Sequence, residues 1–113
     1  MAKNSHEPLL IQAVVRDDYL LVKELISRGI NSNIKSLRYE KSALNIALKN
    51  KFYEIVDLLI ENDINLSIPD IHGLISIHYA TKYGNINLLN QILQKNTIVM
   101  QKHHFPPFLM KNN

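Results

Sequence analysis

The chain repeats itself, and a repeat constrains architecture before any local propensity does. Three stretches align, beginning at Leu9, Ala43 and Ser76, so the spacings are 34 and then 33 residues. Equivalent positions agree in kind: Leu10, Leu44 and Ile77, then Ala13, Ala47 and Ala80. Further along each unit Leu21-Val22, Ile55-Val56 and Leu88-Leu89 fall together, followed by Leu25-Ile26, Leu59-Ile60 and Ile92-Leu93. Apolar pairs at this separation line one helical face. The first half of each unit instead carries an alanine, the small residue that lets a neighbouring helix approach. Between the halves stand Asp17-Asp18, Lys51 and Gly84-Asn85, which suit a tight turn. Each unit therefore reads as two short amphipathic helices. Helices of two turns are marginal in water, and one pair cannot bury its own apolar faces, so the units must stack. The stacking predicts that Ala47 and Ala80 are buried between adjacent pairs, with hairpin-like connectors over 30–42 and 63–75.

These residues resemble the ankyrin repeat, whose pattern runs D-x-x-G-x-T-P-L-H-x-A-A, then G-H before a leucine-rich second helix. The third unit carries Asp70-Ile71-His72-Gly73, Ile77-His78-Tyr79-Ala80 and Gly84-Asn85 in that register. In the second, Ser42 takes the threonine position and Ile64-Asn65 follows the second helix; the first keeps Gly29-Ile30-Asn31-Ser32-Asn33. The resemblance implies an all-α helical solenoid of about three helix-pair repeats with short hairpin connectors. It spans 7–96, divided as 7–36, 37–69 and 70–96, with an irregular tail over 97–113. Departures are visible too. Glu40 replaces the connector glycine in unit two, whose connector is one residue longer, and Ile75-Ser76 replace threonine-proline in unit three. The family's hydroxyl–imidazole bond cannot form at Ile75, whereas Ser42 with Asn45 offers a weaker version. His78, at the family's histidine position, is expected to be buried between helices with a hydrogen-bonding role. In the tail, Thr97 to Met100 would be a further hairpin strand, and Pro106-Pro107 forbid a helix beyond it. Phe105, Phe108, Leu109 and Met110 are the residues available to fold back over the last helical face.

Composition narrows the chemistry. The 113 residues contain no cysteine, which removes disulfides, thiolate zinc sites and a cysteine nucleophile together. With three glycines in all, there is neither a phosphate-cradling loop nor a nucleophile elbow. His103-His104 lack supporting ligands, because all ten acidic residues lie at or before Asp70. Asp57 and Glu61, one helical turn apart, read as solvated charge rather than as an acid/base pair. No catalytic residue, metal site or cofactor is expected, and the chain does not read as an enzyme. Leu9 to Val15 is interrupted by Gln12 and closed by Arg16-Asp17-Asp18, a poor signal peptide. A membrane-spanning run of roughly 20 apolar residues is missing. The expected location is cytoplasmic.

What remains is recognition. The resemblance implies that partner contacts come from the concave side, formed by hairpin tips and first helices. Carried over residue by residue, the contact positions are Ile71, His72, Leu74, Lys82 and Tyr83 in unit three. Unit two supplies Arg38, Tyr39, Lys41, Lys49 and Asn50, and unit one Arg16. Basic and aromatic residues in such a set suit a protein partner with an acidic patch. Nucleic acid is the weaker reading, since Glu40 and Asp70 interrupt the basic track that base stacking requires. A third reading is a truncated remnant of a larger ankyrin protein with little independent function. The wealth of Ile, Asn and Lys (15, 13 and 10 residues) is what AT-rich coding produces. It makes the chain resemble ankyrin proteins of poxviruses and intracellular bacteria, for which the family implies host interaction.

Overall fold

The first four helices of this chain each close on a left-handed residue, so the helix ends recur with the repeat. The computed structural model describes residues 6–84, 86–87 and 89–94. The expectations for the tail, from the strand at 97–100 to His103-His104, Pro106-Pro107 and the fold-back residues, lie outside the described residues. Among the described residues five helices have both ends defined: α1 (Leu9–Val15), α2 (Tyr19–Ser27), α3 (Ala43–Lys49), α4 (Tyr53–Glu61) and α5 (Ser76–Tyr83). Helical backbone continues at 86–87 and 89–94. Asp18 caps α2, its Oδ1 accepting from the Leu21 N–H at 3.2 Å, and Ser42 caps α3 by accepting from the Asn45 N–H at 3.1 Å.

The helix ends are equally regular. Asp17, Gly29, Lys51 and Asp63 take left-handed backbone, with φ of 56°, 85°, 61° and 58°. Each closes its helix with paired bonds: after α1, the Asp17 N–H reaches the Val14 carbonyl and the Asp18 N–H reaches that of Ala13. The same pair recurs after α3, where Lys51 and Phe52 donate to Leu48 and Ala47. This arrangement satisfies carbonyls that a helix end would otherwise leave without a partner. It also turns the chain sharply enough for α1 to lie against α2 and α3 against α4.

Stacking follows as the repeat predicts. Helices α1, α3 and α5 form one layer, with α3 in the middle, and α2 packs on α4 in the second. Helix α3 is buried throughout from Ala43 to Leu48, because α1, α4 and α5 all pack against it. Ala13, Ala47 and Ala80 are all buried, at the points where inner helices approach one another. Val22, Leu25, Ile55, Val56, Leu59 and Ile92 complete the core from the outer layer.

The connectors hold adjacent repeats together by backbone and asparagine bonds. Lys35 and Ser42 form an antiparallel bridge, and Ser36 N–H donates to Lys41 O at 2.8 Å, closing a tip over 37–40. The next tip is one residue shorter, with the Asp70 N–H on Leu74 O at 2.9 Å. The two tips are joined by the Ile71 N–H donating to Tyr39 O at 2.9 Å. On the far side Asn33 Oδ1 accepts from the Asn65 N–H at 2.8 Å, 32 residues on.

Two expectations need correction. Asn45 does not bond Ser42 through its side chain; its Oδ1 accepts from the Ser76 hydroxyl at 2.9 Å, across the repeat boundary. Ser42 is already engaged with a backbone N–H, which leaves the buried Asn45 amide facing the next unit's first helix. His78 is exposed rather than buried. Without a threonine at position 75, its Nδ1 accepts from the Ile75 backbone N–H at 2.9 Å and the ring stays at the helix end.

Candidate functional site

Two adjoining clefts run along the inner helices beneath the connector tips. One, of about 370 Å³, lies between α3 and α5 and is lined by Tyr39, Lys41, Lys49, Asp70, His72, Leu74, His78, Tyr79, Lys82 and Tyr83. The other, of about 250 Å³, lies between α1 and α3; Glu7, Gln12, Arg16, Ser36, Arg38 and Asn50 face it together with Tyr39, Lys41 and Lys49. Tyr39, Lys41 and Lys49 thus form the ridge common to both.

Ten of the eleven residues placed by register border these clefts: Arg16, Arg38 and Asn50 in the first-repeat cleft, His72, Leu74, Lys82 and Tyr83 in the other, and the three ridge residues in both. Ile71 does not. Its backbone is tied to Tyr39 O, and its side chain, 55% exposed, stands outside the cleft at the tip.

The tips owe their shape to two different devices. In the third unit, Asp70 Oδ1 accepts from the backbone N–H groups of His72 at 2.8 Å and Leu74 at 2.9 Å, while Oδ2 accepts from the Tyr79 hydroxyl at 2.5 Å. Burial pushes this carboxyl up, yet the Tyr79 hydroxyl and the two N–H donors outweigh burial and hold it below the ordinary carboxylate value. Burial and then the Asp70 carboxylate keep the Tyr79 phenol protonated far above the usual range. In the second unit Ser36 stands where Asp70 does, its N–H on Lys41 O as that of Asp70 is on Leu74 O, and it has no carboxylate to offer. Ser36 substitutes: its hydroxyl donates to Arg38 O at 2.5 Å and accepts from the Lys41 N–H at 3.0 Å. Glu7 Oε1 accepts from the Leu37 N–H at 2.8 Å and braces the tip from the first repeat. Tyr39 and Glu40 take left-handed backbone, φ 66° and 53°, where the third unit has Gly73 at 82°. Consecutive left-handed non-glycine residues cost roughly 1–2 kcal/mol each, and here they set the Tyr39 ring over the ridge.

Electrostatically the ridge is basic and aromatic. Lys41 Nζ lies 5.6 Å from the Tyr39 ring centroid, and Lys82 Nζ lies 5.3 Å from that of Tyr83. Tyr83 in turn meets Tyr79 with centroids 6.0 Å apart. Burial lowers the Lys41 ammonium below the usual lysine range, and the neighbouring Lys49 ammonium pushes the same way, against a weaker pull from Asp70. On the opposite side Glu54, Asp57 and Glu61 line a shallow acidic hollow of α4 with Tyr19 and Leu58.

Register reasoning missed Asp70, Tyr79, Ser36 and Glu7. An Asp followed by two turn residues and a glycine signalled the Asp70 loop; nothing local signalled Glu7, which acts 30 residues away. Among the described residues no group of three or more His, Cys, Asp or Glu side chains could hold a metal ion. No described helix is long and apolar enough to cross a membrane.

Stacked helix pairs joined by hairpin tips, with clefts beneath the tips, define a helical repeat protein. The chain belongs to the ankyrin repeat family: the family profile matches three copies over residues 10–103. This family consists of non-enzymatic modules that mediate protein–protein interactions. Two ankyrin repeat proteins of fowlpox virus (strain NVSL) are similar. One is 26% identical over 98 residues, covering 83% of this chain and 23% of the relative. The other is 27% identical over 118 residues, covering 80% of this chain and 20% of the relative. An ankyrin repeat protein of Acanthamoeba polyphaga mimivirus is 28% identical over 93 residues, covering 77% of this chain and 12% of the relative. The chain therefore spans less than a quarter of the length of these relatives.

Proposed function

We propose that this chain binds a partner protein through the two clefts, with Tyr39, Lys41 and Lys49 at the centre of the interface. The observation that carries this reading is geometric. Ten of the eleven contact positions taken from the repeat register, scattered from Arg16 to Tyr83, border two clefts that share Tyr39, Lys41 and Lys49. Its tyrosines offer apolar area at low entropic cost, and its lysines and arginines favour a partner with an acidic patch. The repeat units are read as 7–36, 37–69 and 70–96, followed by a separate tail. Similarity to the fowlpox and mimivirus proteins supports a role at a host protein, and the absence of cysteine suits the reducing host cytoplasm.

A captured partner, purified and titrated against variants, tests the reading. Tyr39→Ala and Tyr83→Ala should mainly speed dissociation, each costing about 2 kcal/mol or more. Arg38→Ala and Lys82→Ala, at the exposed rim, should mainly slow association, with an effect that fades as salt screens them. Binding that instead weakens log-linearly and steeply with salt would identify nucleic acid as the ligand. If all four variants bind as the wild type does, the concave assignment fails. The last helical stretch would then be the next surface to test; there Leu93 is exposed and Ile92 is buried in the core.

A further inference from the structure

Lys41 and Lys49 carry like charges that the fold brings to one ridge, and among the described residues neither forms an ion pair with a carboxylate. Lys41 precedes the cap of α3 and Lys49 is the last residue of that helix, so their Cα atoms stand about two turns apart. Both side chains nevertheless line the two clefts from the ridge between them, and Lys49 is among the groups that hold the Lys41 ammonium below its usual range. The nearby carboxylates are committed elsewhere. Asp70 is buried and takes three donors of its own, Glu7 holds the Leu37 N–H, and Glu40 pairs with Lys35 at 3.5 Å. Among the described residues the ion pairs are Arg28–Glu24 and Lys35–Glu40, and neither includes the ridge lysines. Two cations lining one cleft wall, one of them half-buried, are a destabilising arrangement unless an anion completes it.

We propose that Lys41 and Lys49 form a two-pronged seat for a single carboxylate, supplied by an Asp or Glu of an extended acidic segment in the partner protein. This rests on the clefts being the partner-binding surface, and adds which group docks where. Charge complementarity selects the carboxylate, and the surroundings select a peptide. Tyr39 stands beside the seat, and Leu74 and Tyr83 line the larger cleft, so apolar side chains flanking the carboxylate find contacts on either side. Ammonium groups that repel each other in the free chain both become attractive to the bound oxygens, so the seat contributes affinity that is absent from stability. Burial of Lys41 reinforces this, because an ammonium partly removed from water gains more from an anionic neighbour.

The probe is a blocked, fluorescein-labelled peptide alternating Glu and Leu, with its Gln-for-Glu counterpart, inorganic phosphate and a single-stranded oligonucleotide as comparisons. The intact chain should bind the Glu peptide at least about tenfold more tightly than the Gln peptide. Lys49→Met and Lys41→Met should each remove most of that preference, at high salt as well as low, because the contact is direct. Both variants should also unfold at higher temperature than the wild type, since each removes one of two like charges on the same cleft wall. A lower midpoint for both would mean that a carboxylate of this chain already satisfies the pair, which overturns the seat. Tyr39→Ala and Tyr83→Ala separate the two levels of the argument. If they weaken the Glu peptide while both lysine variants retain the full preference, the clefts bind and the seat is wrong. If neither the tyrosine nor the lysine variants change binding, the cleft reading falls with it. Preference for phosphate or for the oligonucleotide over the Glu peptide overturns the carboxylate assignment.

Discussion

Asp70 shows how much one side chain can organise at a repeat boundary. Its carboxylate accepts from two backbone N–H groups of the tip and from the Tyr79 hydroxyl, joining connector to helix α5. The folded chain therefore releases this proton at lower pH than the unfolded chain, whose carboxyl keeps the ordinary value near 3.8. Between the two values the unfolded state binds more protons, so stability rises with pH there. The contribution is fully present above about pH 4 to 5 and is lost as acid titrates the folded carboxyl. Asp70→Asn should lower stability at neutral pH and flatten the loss of stability on acidification below about pH 4. Urea unfolding of both proteins at neutral pH and near pH 3 measures this; an unchanged acid dependence would mean that Asp70 is not the titrating group. Tyr79 belongs to this scaffold, and Ser36 and Glu7 to its counterpart in the second unit; none of them was apparent as a functional position from residue type alone.

At the scale of elements, the inner helices decide how closely the repeats can sit. Helix α3 lies between α1 and α5 and buries every residue from Ala43 to Leu48. Ala47 has no exposed surface, so a larger side chain there must push a neighbouring helix or leave its preferred rotamer. Ala47→Leu should cost on the order of 1–3 kcal/mol, read as a lower midpoint in denaturant with little change in slope. A neutral result would place the inter-repeat contact elsewhere. Gly84 makes the same point about space: a Cβ there would sit 2.7 Å from the Ala80 carbonyl oxygen, where α5 turns towards the following helical stretch. By contrast Asp17, Lys51 and Asp63 carry ordinary side chains in left-handed backbone, so three of the four regular helix ends keep a strain that glycine would relieve.

Across the whole molecule, each repeat is coupled to the next by a small number of bonds that span about one period. Ser76 bonds Asn45 across 31 residues, the Asn65 N–H bonds Asn33 across 32, and the Ile71 N–H bonds the Tyr39 carbonyl between tips. An occupant of both clefts would touch all three units, so binding should slow amide hydrogen exchange in α1 and α5 together rather than in one repeat alone. Exchange mass analysis of the free and partner-bound chain checks this; protection confined to one unit would mean that the clefts act separately. The period, the alanines and the apolar pairs were legible in the sequence, because helices and their faces are set by contacts three and four residues apart. The register also carried Tyr39, Lys41, Lys49 and Tyr83 to the concave side, since a repeat fixes where each position points once the units stack. Tertiary structure alone decided the rest. Only it could show that His78 stays exposed, that Asn45 reaches the next unit, that Ile71 stands off the cleft and that Glu7 braces a tip 30 residues away. Each of these depends on which polar groups already have partners when distant segments meet, and that competition is resolved in space rather than along the chain.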